Sequence, residues 1–173
     1  MFENLDFLEI IIFILPAYIA NSVPVLVGGG LPVDFGKKFM GLRLFGDSKT
    51  LQGFIGGVCA GIIASFLLTK FFYIDIFGSE RLQFASGCLL SFGTMAGDLA
   101  GSFIKRRMGL APGKPFILDQ LFFLVVALIM AYPFSPAKFY QLSTLAFLFI
   151  ITYFAHIVSN YLANKLGLKK VPW

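Results

Sequence analysis

Residues 82–107 read LQFASGCLLSFGTMAGDLAGSFIKRR, an apolar run carrying one acid, Asp98, and closed by three consecutive bases, Lys105, Arg106 and Arg107. As a helix, residues 82–104 are long enough to cross the bilayer, since about 20 residues span ~30 Å of hydrocarbon. An ionised carboxylate at membrane depth costs at least ~2.5 kcal/mol and persists where a cation, a partner or a watery cavity offsets it. A second acid, Asp119, stands in PGKPFILDQLFF (112–123), at the start of the next apolar segment. Two submerged carboxylates flanking one short basic loop suggest a divalent metal site. The alternative is a structural ion pair between an acid and a neighbouring Lys or Arg.

Outward from this stretch, residues 5–27, 51–73, 115–132 and 139–162 are apolar runs of similar length. The chain is 58% hydrophobic and 13% charged, against ~25% charged residues in soluble domains. It therefore reads as an all-α integral membrane protein, a single membrane-embedded domain over residues 1–173 with five transmembrane helices. A barrel would instead show alternation in blocks of about 10 residues. The expected loops place Lys37, Lys38, Arg43, Lys49, Lys105, Arg106, Arg107, Lys114, Lys165, Lys169 and Lys170 on one side, and Lys70, Arg81 and Lys138 on the other. The basic side is expected to be cytoplasmic. The amino terminus, with Glu3, Asp6 and Glu9 and no base, is then outside, the carboxyl terminus is inside, and two polar loops face the cytoplasm. No basic stretch precedes the first apolar run, so no cleavable signal pattern is read.

The net charge of +5 sits in membrane-flanking loops rather than on a soluble face, which argues against nucleic acid as a partner. Cys59 and Cys88 lie inside apolar segments without CxxC spacing and read as small core residues. Gly53, Gly57 and Gly61 recur every fourth residue, as do Gly93, Gly97 and Gly101. Such stripes let helix backbones approach closely. If the second and third helices pack together, Lys49 comes beside Asp98. Pro16, Asn21 and Pro24 invite a kink or local unwinding near the end of the first helix. His156, Ser159 and Asn160 share a face of the last one, where a hydrogen-bonded histidine within the bundle is the expected reading.

On the third helix Asp98, Ser102, Lys105 and Arg106 follow at i, i+4, i+7 and i+8, one stripe running toward the basic end. Oxygen ligands without a Cys or His cluster suit Mg²⁺, which keeps several waters and is completed by substrate phosphates. Lys49, Lys105, Arg106, Arg107 and Lys114 would offset the charge of a polyphosphate. The plainer alternative is that they obey the positive-inside rule or meet anionic headgroups. The glycines of residues 28–46 make no Walker or GxGxxG pattern.

GDLAGSFIKR (97–106) followed by PGKPFILDQ (112–120) resembles the GDxxxSxxKR…PGHGGxxDR signature of the phosphatidate cytidylyltransferases. LFGDSKTLQGFIGG (44–57) resembles a second segment of that family, with FG, KT and GxxGG in the same order. The short length and ANSVPVLVGGGLPVDFGKK (20–38) are closer to its archaeal branch, which makes CDP-archaeol. Lys114, Pro115, Phe116 and Gln120 depart from the signature. The resemblance implies that Asp98 and Asp119 bind Mg²⁺, with Gly97, Ser102, Lys105 and Arg106 near the nucleotide or lipid phosphate and Lys49 and Thr50 joining from the first loop. It also implies transfer of a cytidylyl group from CTP to an isoprenoid ether-lipid phosphate, in a cell-membrane protein that could form a homodimer. A small ion-coupled transporter or channel is the rival reading.

Overall fold

The computed structural model describes residues 6–110 and 117–168. The chain runs α1 (Phe7–Ser22), α2 (Pro24–Val27), β1 (Lys38–Phe39), β2 (Leu42–Arg43), α3 (Leu51–Phe71), α4 (Glu80–Arg107), α5 (Ile117–Ala131) and α6 (Leu142–Lys165). Phe7–Val27, Leu51–Phe71, Glu80–Arg107 and Leu142–Lys165 are each long and apolar enough to span a membrane. The fifth expected segment is also helical, but α5 has 15 residues, or roughly 22 Å. Of the expected 115–132, residues 117–131 are helical, and 115 and 116 lie outside the described residues. The molecule is a multi-pass membrane protein.

Local chemistry explains several boundaries. Pro16 stays inside an unbroken α1, whereas Pro24 ends that helix and takes the first position of α2, where its missing N–H costs nothing. Thr50 caps α3 by accepting the Gly53 N–H at 3.1 Å, and Ser79 caps α4 through Leu82.

α4 is the central element, packed against α1, α3 and α5. Its two opposite stripes of small residues meet different partners. A Cβ added to Gly57 of α3 would lie 2.6 Å from Met95 Sδ, one added to Gly61 2.3 Å from Ser91 Oγ, and one added to Gly87 2.0 Å from Ser65 Oγ. The α3 face of α4 is thus 87, 91, 95. On Gly93 and Gly97 the added atom would lie 2.7 Å from the Cα atoms of Ala127 and Phe123 on α5. The second glycine stripe therefore serves the α4–α5 seam rather than the contact with α3, because two residues along a helix turn the surface by about 200°. Away from the basic end, Ile10, Ile14, Leu90, Leu124, Phe139 and Leu148 form the buried core, with Phe13 stacked on Phe139 at 4.2 Å.

Candidate active site

Residues 28–50, between α2 and α3, fold around one buried acid. Asp34 is 3% exposed. Its Oδ1 accepts N–H groups of Gly36 at 3.0 Å and Arg43 at 2.6 Å, and its Oδ2 those of Phe45, Gly46 and Arg43 at 3.0, 3.1 and 3.3 Å. Burial alone would raise this carboxyl, but the Arg43 guanidinium and three backbone donors outweigh it and hold Asp34 well below the usual carboxylate range. Arg43 also bonds Asp47 at 2.6 Å, which together with Asp34 raises the guanidinium further.

Arg107, from the last turn of α4, clamps the same segment. It donates to the carbonyls of Phe39, Leu42 and Arg43 and lies over the rings of Phe39 and Phe103 at 5.4 and 5.1 Å. The loop is thereby fixed over the carboxyl end of α4, and its far end delivers Lys49 and Thr50 to the start of α3.

There Lys49 Nζ donates to both oxygens of Asp98, at 2.6 and 2.7 Å. The expected adjacency of the α3 entrance and Asp98 is present, and Asp98 has a basic partner. Neither side chain is sealed off, Lys49 being 25% and Asp98 29% exposed. Asp98 lies nine residues before the end of α4, roughly 14 Å inward along the axis. The pair lines a cavity of about 50 Å³ together with Pro24, Ser48, Thr50, Phe54, Met95 and Leu99. That volume admits waters or an ion, not a nucleotide, for which pockets of about 300–1,000 Å³ are usual. A smaller hollow of about 10 Å³ between α1, α3 and α4 contains Thr69 and Gln83 but no charged group.

The other sequence-predicted residues divide. Thr50 Oγ1 accepts from Gly29 N as well as Gly53 N, leaving its proton as the group it can offer a ligand. Ser102 and Lys105 are each 7% exposed, further along the Asp98 stripe. Arg106 donates to the Leu110 carbonyl at 2.6 Å, while its Nε is buried without a partner among the described residues. Gly97 abuts the α5 backbone and does not line the cavity. Asp119 belongs to α5, its side chain lying outside the described ones. The antiparallel pairs Gly93–Ala127 and Gly97–Phe123 carry its backbone to the level of Gly101, about one turn from Asp98. Lys114 lies outside the described residues, and His156 is bonded to Asn21 at 3.1 Å and Asn160 at 3.2 Å within the bundle.

The sequence reading passed over Asp34 and grouped Arg107 with cations that offset phosphate charge or obey the positive-inside rule, whereas its guanidinium is engaged by loop carbonyls. VDFG held a usable signal for the first, because an Asp two residues before a glycine commonly bonds that backbone N–H. Nothing local marked Arg107, whose three carbonyl partners are more than 60 positions away.

Among the described residues no three His, Cys, Asp or Glu side chains come together, so these alone do not encase a metal ion. One carboxylate beside two hydroxyl-bearing residues does fit Mg²⁺, which holds its waters and takes substrate phosphate oxygens to complete its shell.

Residues 2–173 match the family model described as CarS-like: CDP-archaeol synthase. The chain is similar to the CDP-archaeol synthase of Pyrococcus horikoshii, 46% identical over 168 residues and 96% of both chains. It is similar to that of Thermococcus kodakarensis, 48% identical over 163 residues and 93% of both. A solved intramembrane enzyme for archaeal membrane lipids biosynthesis superposes with a TM-score of 0.72 at 35% identity, covering 90% of this chain and 94% of the other.

Proposed function

We infer the chemistry of this site from a premise the sequence match establishes: the chain belongs to the CarS-like family of CDP-archaeol synthases. It is a CTP-dependent cytidylyltransferase that forms CDP-archaeol in archaeal lipid synthesis. An oxygen of the isoprenoid ether-lipid phosphate attacks the α-phosphorus of CTP. The bond from that phosphorus to the bridging oxygen breaks with its electron pair, and pyrophosphate leaves. A phosphate monoester with second pKa ~6 is largely ionised near neutrality, so no general base is required. The protein's task is alignment and charge neutralisation.

In our reading Asp98, with Asp119 from α5, holds Mg²⁺, which supplies charge neutralisation on the triphosphate. Lys49 and Lys105 offset phosphate charge, Thr50 offers its hydroxyl proton, and Ser102 and Arg106 serve the nucleotide or lipid phosphate. With the basic end cytoplasmic, CTP arrives from the cytosol of the cell while the lipid phosphate stays at headgroup level. The single observation that carries this assignment is that Asp98, though paired with Lys49, keeps 29% of its side-chain surface and lines one cavity with Lys49, Ser48 and Thr50. The transporter reading finds no support in family membership.

The test is pyrophosphate release by purified protein given CTP, Mg²⁺ and an ether-lipid phosphate. Asp98→Asn and Asp119→Asn, inserted normally, should each lose on the order of 100-fold in rate, as removal of a metal-supporting group does. Wild-type turnover in Asp98→Asn would remove that residue from the site.

A further inference from the structure

The segment that brings Lys49 to Asp98 carries a second feature that the reaction does not use. β1 and β2 are joined by the two-residue turn Met40–Gly41, with φ of +52° and +77°, and Phe35–Gly36 repeats the pattern with +48° and +80°. Asn or Gly adopts the first position of such turns readily, whereas a large side chain is strained there. Twice, then, the chain accepts strain to place an apolar group at a turn tip. Neither tip is packed, for Phe35 is 61% and Met40 81% exposed, with Leu31 at 63% close by in sequence.

Charge tells what covers them. Arg43 is occupied by Asp34 and Asp47, and Lys49 by Asp98. Lys37 and Lys38, between the two tips, are exposed and carry no ion pair among the described residues. The whole segment is tied to the last turn of α4 by Arg107, at the basic end of a membrane-spanning helix, so it lies at the bilayer surface. Apolar tips interleaved with bare lysines at that level have the chemistry of an interfacial membrane element.

We propose that residues 31–42 are an interfacial anchor, in which Phe35 and Met40 insert into the adjoining leaflet while Lys37 and Lys38 pair with anionic lipid headgroups. The anchor holds the loop, and with it the entrance of α3, at headgroup height. Anionic lipid is therefore a standing partner of this surface, distinct from the lipid that reacts.

Single-tryptophan proteins in proteoliposomes test this without turnover. In a Trp173→Phe background, Met40→Trp and Phe35→Trp are compared with Asp47→Trp, whose side chain is 82% exposed on the same loop. Lipids brominated at shallow chain positions and aqueous iodide are the two quenchers. Insertion predicts that bromolipid removes about half or more of the Met40→Trp emission, and that iodide quenches it at least ~3-fold less than Asp47→Trp, the depth being about 5–10 Å. The contrast should rise with the anionic lipid fraction and fall in the Lys37→Gln/Lys38→Gln background. Iodide access equal to that of Asp47→Trp would place the tip in water and overturn the proposal. Shielding from both quenchers would assign the tip to protein and overturn it equally. Should Met40→Trp fail to assemble, Phe35→Trp carries the same comparison.

Discussion

Asp34 and Asp98 are both paired with a base, yet the two acids differ in what they can do. Asp34 is sealed, with Arg43 and three backbone donors on its oxygens, so it fastens the loop. Asp98 keeps 29% of its side-chain surface and faces a cavity, so it is open to solvent as Asp34 is not. Because folding depresses the Asp34 carboxyl, its contribution is complete above the unfolded value near 4 and is lost progressively as pH falls from there through the much lower folded one. The loop should therefore remain closed down to about pH 4. Asp34→Asn removes the buried charge partner of Arg43 and leaves it the exposed Asp47 alone, which should cost about 3 kcal/mol, the low end for a buried pair because Arg43 is partly solvated. Trypsin cleavage after Lys37 and Lys38 in detergent should then quicken by roughly 100-fold. An unchanged cleavage rate would show that Asp34 is not the fastener.

At the scale of elements, α4 works because its two faces are shaved for different neighbours. Its close contact with α5 depends on the missing side chains of Gly93 and Gly97, where an added Cβ falls 2.7 Å from backbone. Backbone cannot rotate aside as a side chain can, so Gly93→Ala must part the two helices. The cost should be about 1–3 kcal/mol or more. Gly101 on the same stripe is different, since its Cβ would meet Phe122 at an ordinary 3.7 Å. Gly101→Ala should leave the detergent melting temperature unchanged or slightly raised while Gly93→Ala lowers it. Equal shifts for both variants would refute the contact geometry. The seam also sets the register that brings the Asp119 backbone to about a turn from Asp98.

For the whole molecule, α6 is the least covered of the spanning helices, with 17% of its apolar window buried. Its attachments include polar ones, Tyr18 to Thr152 at 2.6 Å and Asn21 to His156 at 3.1 Å, along with the ring of His156 against Phe123 at 5.7 Å. Interhelical hydrogen bonds in membranes contribute about 0.6 kcal/mol on average and up to ~1.7. Asn21→Leu should accordingly lower stability by about 1 kcal/mol without preventing insertion, which follows from the length and apolarity of α6 itself. Thermal unfolding in detergent measures the first effect and membrane fractionation the second. A variant as stable as wild type would mean that apolar packing alone seats α6.

The sequence by itself determined the helical segments and the asymmetry of the bases, because apolar length and charge act locally and read directly from composition. The Lys49–Asp98 contact was legible only as a consequence of helices two and three packing. Which glycine stripe meets which helix, and that Arg107 grips three distant carbonyls, was decided by tertiary structure. The same holds for Asp34, whose Gly36 turn is local but whose bonds to Arg43, Phe45 and Gly46 close only when the loop folds back. A smooth helix face or a long cation has several partners of similar energy, and only the simultaneous burial of all helices selects one.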